Sequence, residues 1–201
     1  MQRINMTTGE IKENIARYSN LLYQRGLVGA AGGNVSIRAG DNILITAGGK
    51  SLRNITADEI LVLDMQGKLI DGGTDLKPSK EASLHINVYR AREDVDCVIH
   101  VHPVYVTSFA VSGKTIPMVT ASSKLKLIGI PLIQYADPGS EKLAAQVYQG
   151  VCRAPLNTSA VLLESHGLIA FSSGIENCFN IAELAEETAR IAYVSGQIKK
   201  L

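Results

Sequence analysis

Apolar residues recur at helical spacing near both ends of the chain. The first such stretch ends at Gly26, and Thr7 and Glu10 have the spacing of a capping box at its start. Its apolar positions are Ile11, Ile15, Tyr18, Leu21 and Leu22. A second helical pattern runs from Ile175 onward without a break. The sequence therefore predicts one helix at each end of the chain.

Short β-like runs separated by glycine-rich turns follow the first helix. Residues 35–38 and 42–46 predict two strands, joined by a hairpin through Ala39-Gly40-Asp41. Residues 60–70 predict a further strand pair around Gln66-Gly67. This part of the chain therefore favours an antiparallel arrangement.

Helices and strands mix in the rest of the chain. Helices are predicted to begin near Ser79, to cover 103–112 and to run from Ser140 to Gly150. Strands are predicted within 94–103, 130–136 and 159–173, the last range being two strands separated at His166-Gly167. The elements do not follow a strict βαβ order, which indicates an antiparallel or mixed sheet covered by helices. No linker or repeat interrupts the pattern, so a single domain over 1–201 is predicted.

Composition narrows the functional classes. The 201 residues carry a net charge of +1, which gives no electrostatic reason to expect a nucleic acid or an anionic membrane as partner. Three widely spaced cysteines, Cys97, Cys152 and Cys178, indicate free thiols in a reducing compartment. The first residues lack the apolar stretch of a signal peptide, and no run has the length of a membrane span. A soluble, cytoplasmic protein is expected.

The strongest chemical signal is a pair of histidines, His100 and His102, on a predicted strand. Side chains two apart on a strand point to the same face, so two imidazoles can bind one ion there. Histidines at a strand end can equally be polar residues at the margin of a sheet. His166, between two apolar runs and followed by Gly167, supplies a third imidazole. Three histidines with an open coordination position are typical of catalytic metal sites.

Glu81 is the carboxylate predicted to work beside these histidines as an acid–base. It lies in the first turn of the helix predicted to begin near Ser79, where a negative charge is also favoured by the helix dipole alone. His85 falls on the same helical face, four residues later. That histidine is expected to orient Glu81 or to bond a backbone group, and it ranks below the other three as a metal ligand.

Two glycine-rich segments, 32–36 and 46–51, offer backbone N–H groups in turns that tolerate positive φ. Ser79 adds a hydroxyl at a helix start, and Lys80 adds a positive charge. Glycine turns are usually only turns, but together these segments suggest a pocket for phosphate.

Five segments, in this order, resemble the class II aldolase/adducin family, and within it the L-fuculose-1-phosphate aldolase type: GGNVSIR, ILITAGG, KPSKEASLH, VIHVHP and LLESHGLIA. The resemblance spans about residues 10–195. It implies a three-layer α/β/α fold with a central, mostly antiparallel or mixed sheet, and a homotetramer with active sites at subunit interfaces. It also implies a Zn²⁺ ion (Mn²⁺ or another divalent ion being possible) on His100, His102 and His166, with Glu81 beside it. Phosphate binding falls to Gly33, Asn34, Gly49 and Ser79, with Lys80 next to them.

The resemblance has three departures. Gly48 stands where the fuculose enzymes have a threonine or serine, Lys80 where they have a second serine, and Ala121 near the place of their proton-donating tyrosine. The PSKE form and the YADPG segment look closer to the 3-oxo-tetronate 4-phosphate decarboxylase branch.

We therefore expect a metal-dependent lyase that cleaves a phosphorylated ketose, such as L-fuculose 1-phosphate, through a metal-stabilised enediolate. A decarboxylase on a similar sugar phosphate is the alternative. A sugar-phosphate epimerase or dehydratase, or a non-catalytic module like the adducin head, fits the sequence less well.

Overall fold

The protein is described from a computed structural model that covers residues 6–200. The strands are β1 Asn34–Ala39, β2 Asn42–Thr46, β3 Ile60–Asp64, β4 Leu69–Asp71, β5 Cys97–Val101, β6 Leu132–Ile133, β7 Ala160–Leu163 and β8 Gly167–Ser172. The helices are α1 Thr8–Gln24, α2 Ala82–Ala91, α3 Val104–Val111, α4 Ala121–Lys126, α5 Glu141–Arg153 and α6 Ile175–Ile198. The terminal residues lie outside the described range, so the single domain over 1–201 stays a prediction.

All eight strands form one sheet, in the order β4-β3-β2-β1-β5-β8-β7-β6. Every neighbouring pair is antiparallel except β6 and β7, which are parallel, so the predicted mixed sheet is confirmed. The hairpin between β1 and β2 is also present, with Ala39 opposite Asn42. In the centre of the sheet β5 lies between β1 and β8, which brings distant parts of the sequence together.

Each face of the sheet buries its own hydrophobic core. Alternate residues of β5 divide between them: Cys97, Ile99 and Val101 join one core, and Val98 joins the other. The first core includes apolar residues of α1, α3 and α6, and the second includes those of α2 and α5. The three-layer α/β/α architecture is therefore confirmed, with helices on both faces as the period-2 alternation of strands requires.

Helix α2 begins at Ala82 and not near Ser79, so the predicted start was wrong. Ser79 Oγ accepts a hydrogen bond from the Glu81 backbone N–H at 3.2 Å, which holds these residues in a turn. The preceding Pro78 pairs with Ala47 as an isolated antiparallel bridge. These two interactions fix the chain in a non-helical path up to Glu81, which is the N-cap residue.

Two other boundaries differ from the sequence prediction. The strand predicted over 130–136 is only Leu132–Ile133, because the Tyr135 N–H donates to the Glu164 carboxylate at 2.9 Å instead of to a strand. Helix α5 continues past Gly150 to Arg153. A β-carbon at Gly150 would lie 2.9 Å from Ile133 Cδ1, so glycine there allows the helix to pack closely on β6.

Helix α4 and a short 3-10 helix over Ala57–Glu59 were not predicted. Helix α4 lacks an apolar stripe, and its start is set by a capping box between Thr120 and Ser123. Among residues 6–200, no helix is both long enough and apolar enough to cross a membrane.

Candidate active site

Three histidine side chains meet at one end of the central strands. His100 lies on β5, His102 lies just beyond the end of β5, and His166 lies in the turn that leads into β8. The Nε2 atom of His100 is 2.9 Å from that of His102 and 3.2 Å from that of His166. Nitrogens bound to one tetrahedral ion at about 2.0–2.1 Å lie about 3.3–3.4 Å apart. The geometry therefore suits a single divalent ion, and these residues are a group that could hold one.

The backbone packs closely against the His102 ring at two glycines. A β-carbon at Gly32 would lie 2.9 Å from His102 Nδ1, and one at Gly167 would lie 2.6 Å from His102 Cδ2. Both contacts are shorter than real β-carbons tolerate. Ser165, directly before His166, has a φ of 56°, a left-handed conformation that is uncommon outside glycine. Such local strain is found where surrounding structure must aim a functional side chain.

The protonation states of the histidines favour metal binding. His100 Nδ1 donates to the Leu168 carbonyl at 2.9 Å, so in the neutral ring Nε2 keeps a lone pair directed at the other two histidines. Burial, and next the nearby His100, lower the pKa of His102 and of His166 to about 4. These two rings are therefore neutral at neutral pH, which is the form that binds a metal.

The Glu81 carboxylate lies against the same cluster. Its Oε2 is 3.3 Å from His100 Nε2, and its Oε1 is 3.2 Å from His166 Nε2. Burial raises the pKa of Glu81, but the hydrogen bond and charge of a protonated His100 lower it by more, so that in the metal-free protein it falls to about 2. The Glu81 carboxylate is thus ionised and faces the point where the imidazoles converge. A cation held there would neutralise it.

Two buried polar atoms at this centre have no hydrogen-bond partner among the described residues. They are Glu81 Oε1 and His166 Nδ1. Buried polar atoms are nearly always paired, so each unpaired one calls for an explanation. A cation bound beside the imidazoles would supply the missing partner of Glu81 Oε1. The donor set and this carboxylate therefore fit a bound divalent ion.

The segments predicted to bind phosphate also come together. Asn34 Nδ2 donates to Ser79 Oγ at 3.2 Å and to Glu81 Oε2 at 3.1 Å. The Gly48 N–H donates to the Lys77 carbonyl at 2.9 Å, which joins the second glycine-rich segment to the turn before α2. Gly49 is exposed with a φ of 73°.

The absence of a side chain at Gly48 has a local cause. A β-carbon there would lie 2.9 Å from the Pro78 carbonyl oxygen. Gly33 and Lys80 are the two other residues predicted to bind phosphate, and each is next in sequence to a residue of the Asn34–Ser79 hydrogen bond. Gly33 is half-buried directly before β1, with a φ of 75°, and Lys80 is exposed beside Ser79. Their roles stay predictions.

His85 does not join the metal cluster. Its ring is fully buried, and it contacts the side chains of Asn34 and Ser36. Within residues 6–200, its hydrogen bonds lead to Glu81 through Asn34. In this part of the chain it bonds no backbone group, the other role that the sequence had suggested for it. The contribution of Ser36 and of Tyr89, which bonds Ser36, was missed. Alternation on β1 places Asn34 and Ser36 on one face, but the pairing of β1 with β5 and α2 could not be read from the sequence.

A groove of about 520 Å³ opens beside His102 along the outer side of α3. It is lined by His102, Val104, Thr107, Ser108, Val111 and Ser112. Thr107 Oγ1 is a buried atom without a hydrogen-bond partner in the described part of the chain. The groove offers space for a small molecule beside His102.

Known proteins share this sequence pattern along nearly all of the chain. A relative from Methanococcus maripaludis, an L-fuculose phosphate aldolase, is 31% identical over 179 residues, which are 89% of this chain and 94% of that protein. A 3-oxo-tetronate 4-phosphate decarboxylase from Haemophilus influenzae is 30% identical over 194 residues, which are 94% of this chain and 89% of that protein. The names of the two relatives give different reactions, but each match covers about nine-tenths of this chain or more.

A solved structure has the same fold. It is an L-fuculose 1-phosphate aldolase that superposes with a TM-score of 0.85 at 28% identity, over 96% of this chain and 89% of the other. The profile of the Class II Aldolase and Adducin N-terminal domain family matches residues 13–193. This match contains every histidine and carboxylate of the site described above. The chain belongs to the class II aldolase and adducin N-terminal domain family.

Proposed function

We propose that this protein is a metal-dependent class II aldolase, a carbon–carbon lyase that cleaves a phosphorylated ketose such as L-fuculose 1-phosphate. The observation that carries the proposal is the convergence of three imidazole Nε2 atoms beside the ionised Glu81 carboxylate. A non-catalytic module would not require three converging imidazoles beside an ionised carboxylate. The similarity to L-fuculose phosphate aldolases along nearly the whole chain supports the same reaction class.

The proposed metal ligands are His100, His102 and His166. We propose Zn²⁺ as the ion, with Mn²⁺ or another divalent ion as the alternative, because neutral imidazoles suit these metals. Bound there, the ion would act as a Lewis acid that stabilises negative charge on neighbouring oxygens of an enediolate. Glu81 itself stays outside the three-nitrogen set and keeps a carboxylate oxygen for proton transfer.

Glu81 is the proposed acid–base. Its Oε2 is held by the Asn34 amide, while Oε1 has no hydrogen-bond partner among the described residues and faces His166. A carboxylate with one anchored and one free oxygen can take a proton from a substrate bound at the imidazoles and return it later. Because its pKa is lowered to about 2, Glu81 begins the reaction as a base.

The phosphate group of the substrate is proposed to bind beside Ser79. The backbone N–H groups at Gly33 and Gly49, the Ser79 hydroxyl and the Lys80 ammonium are the proposed donors. Asn34, whose side-chain amide donates to Ser79 Oγ, is proposed to hold that hydroxyl in place for the phosphate. The close approach of the two glycine-rich segments to the turn before α2 supports this assignment. Backbone N–H groups in turns with positive φ are a common anion-binding arrangement.

A second reaction, decarboxylation of a 3-oxo acid phosphate, has its own support. Ala121 occupies the first turn of α4, where the resemblance places a proton-donating tyrosine, and an alanine cannot take that role. Decarboxylation leaves the same enediolate but needs no proton taken from a leaving hydroxyl. The similarity to a 3-oxo-tetronate 4-phosphate decarboxylase, 30% identity over 194 residues, is comparable to the 31% over 179 residues for an aldolase.

We further propose that the protein is a cytoplasmic homotetramer with active sites at subunit interfaces, and that neither nucleic acid nor membrane is a partner. Large apolar side chains stay exposed on three helices at the outside of the first core: Val104, Val111, Leu125, Ile191, Tyr193 and Val194. Exposed apolar residues on neighbouring helices are typical of association surfaces. Light scattering of the purified protein tests the assembly.

The deciding experiment compares Glu81→Gln with Glu93→Gln, an exposed residue in a turn outside the site. Purified, metal-loaded proteins are incubated with candidate ketose 1-phosphates and 3-oxo acid 4-phosphates, and aldehyde and carbon dioxide are both assayed. Glu81→Gln is expected to lose about 10²–10⁴-fold in turnover while keeping its bound metal. Full activity in this variant refutes the role of Glu81. Carbon dioxide without aldehyde selects the decarboxylase.

A further inference from the structure

A continuous series of hydrogen bonds leads from the protein core to the Glu81 carboxylate. Tyr89 OH lies 2.6 Å from Ser36 Oγ, and Ser36 Oγ lies 2.7 Å from His85 Nδ1. His85 Nε2 in turn contacts Asn34 Oδ1, and Asn34 Nδ2 contacts Glu81 Oε2 at 3.1 Å. Asn34 is 4% exposed, and the three residues behind it are at most 1% exposed. None of the proposed metal ligands takes part in the first three links.

The direction of every hydrogen bond in this series is fixed by chemistry. The Glu81 carboxylate can only accept, so Asn34 must turn its NH₂ group towards it, and its carbonyl oxygen faces His85. That oxygen can only accept, so His85 Nε2 carries the hydrogen. In the neutral ring Nδ1 then has a lone pair, which takes the hydrogen of Ser36. The Ser36 oxygen is left to accept from Tyr89.

The surroundings of His85 favour its neutral form, in which a single ring nitrogen, Nε2, carries the hydrogen. Burial, and next the charge of His100, lower the pKa of His85 to about 3, so the ring is neutral at neutral pH. Burial also raises the pKa of Tyr89 well above its ordinary value, so its hydroxyl stays a donor. The groups facing His85 are Ser36 and Tyr89 on one side and Asn34 on the other, with Glu81 and His100 beyond.

We propose that His85 is a positioning residue: it locks the Asn34 amide in the one orientation that donates to Glu81, and thereby aims this carboxylate at the histidine cluster. This inference rests on the acid–base role proposed for Glu81. A flipped Asn34 amide would set its oxygen against the Glu81 carboxylate, where neither group can donate, and its NH₂ against a ring N–H. The locked orientation leaves Glu81 Oε1, and not Oε2, available for the substrate.

A histidine that served only to fill the core would not need to be connected by hydrogen bonds to the Glu81 carboxylate. A buried polar ring is costly, and an apolar residue of similar shape can replace it when only packing is required. Here the series ends on an ionised group and commits both Asn34 hydrogens, one to Glu81 and one to Ser79. Mutation of residues that orient a functional side chain through hydrogen bonds, such as the outer-shell partners of metal ligands, typically lowers activity by about 10–100-fold.

Three variants of the metal-loaded protein test the proposal. His85→Phe keeps a ring but removes the donor to Asn34, and we expect kcat to fall about 10–100-fold with KM changed much less. His85→Gln can place an amide N–H near the Nε2 position and should restore most of the lost kcat. Arg90→Lys is the matched control, because this exposed residue lies on the same helix as His85 and outside the hydrogen-bond series. We expect this control to keep nearly full activity.

A second readout does not depend on activity. Nitrogen NMR of the histidine-labelled protein should show His85 as the neutral tautomer with hydrogen on Nε2, at all pH values from about 5 to 8. Hydrogen on Nδ1 instead, or unchanged kcat in folded His85→Phe, overturns the proposal. If Glu81→Gln is itself fully active, the role of Glu81 fails first. If Glu81→Gln is inactive and His85→Phe is normal, only the positioning role fails.

Discussion

Gly32 faces the His102 imidazole so closely that a β-carbon at position 32 would lie 2.9 Å from its Nδ1 atom. The alanine variant must therefore push the ring away from His100 and His166. We expect Gly32→Ala to weaken binding of Zn²⁺ by about tenfold or more, as changes beside metal ligands typically do. Competition with a chromophoric chelator measures this affinity.

Gly29 supplies the matched control for that measurement. It lies three residues earlier, and a β-carbon there would meet nothing within 4 Å. Gly29→Ala should bind Zn²⁺ as the unchanged protein does. Equal affinities in both variants would show that the ring of His102 is not held by its contact with Gly32.

Removal of the metal should lower the stability of the protein. An ion that binds only the folded state stabilises it by about 2.7 kcal/mol at one hundred times its dissociation constant. We expect the Tm to fall when a strong chelator is added and to recover with excess Zn²⁺. His166→Ala removes one of the three converging nitrogens, so its Tm should respond little to either addition. A His166→Ala variant with the full response would argue for a different ligand set.

Acidification should destabilise the protein through His85. Its pKa is lowered from 6.5 to about 3, so below pH 6.5 the unfolded chain takes up a proton that the folded protein refuses. The contribution of His85 to the free energy of unfolding is therefore fully present above pH 6.5 and is lost as the pH falls towards 3. Between pH 6 and 5 the loss from one such group is about 1 kcal/mol.

Urea unfolding of the metal-free protein at pH 6 and pH 5 checks this effect. His85→Gln should lose about 1 kcal/mol less than the unchanged protein over this interval, because the substituted residue takes up no proton. The other histidines contribute equally to both proteins and cancel. The same loss in both would mean that His85 is protonated in the folded state.

The start of α3, directly after His102 and Pro103, is capped from another helix. The Glu186 carboxylate on α6 accepts the N–H groups of Tyr105 at 3.0 Å and of Val106 at 2.9 Å. We expect Glu186→Ala to lower the free energy of unfolding by about 1–2 kcal/mol, as loss of a helix cap does. Glu187→Ala, at the exposed next position, is the control and should stay within about 0.5 kcal/mol of the unchanged protein.

Ile128 carries backbone strain that can be removed. Its φ is 59°, a conformation that a β-branched residue rarely adopts, and its side chain is 48% exposed. Ile128→Gly should therefore raise the stability by about 1 kcal/mol, which is about 2–4 °C in Tm for a chain of this size. Ile128→Ala keeps a β-carbon and should gain less. A lower Tm in the glycine variant would show that the exposed side chain makes a stabilising contact.

Much of the fold could be predicted because its signals are local. The capping box between Thr7 and Glu10 and the turn between β1 and β2 each depend on residues close in sequence. The pair of His100 and His102 at the end of β5 is also a local signal, since alternation along an extended chain puts both rings on one side. His166 could be added because a histidine followed by glycine between two apolar runs is conspicuous.

The rest depends on contacts that no local pattern encodes. Asn34 lies opposite His100 because β1 pairs with β5, although other strands come between them in the sequence. The cap of α3 comes from Glu186, far along the chain, and its own N-cap residue, Pro103, has no side-chain acceptor. Helix α4 lacks an apolar stripe for periodicity to detect. Pairing of distant segments, and not propensity, decides these features.

The central position of β5 in the sheet has a consequence for biosynthesis. Its neighbour on one side, β1, is made early, and its neighbour on the other side, β8, is made late, together with His166. A chain still emerging from the ribosome therefore presents two imidazoles and lacks the third. If the ion binds as proposed, the three-nitrogen site is complete only after β8 has been synthesised and has paired with β5.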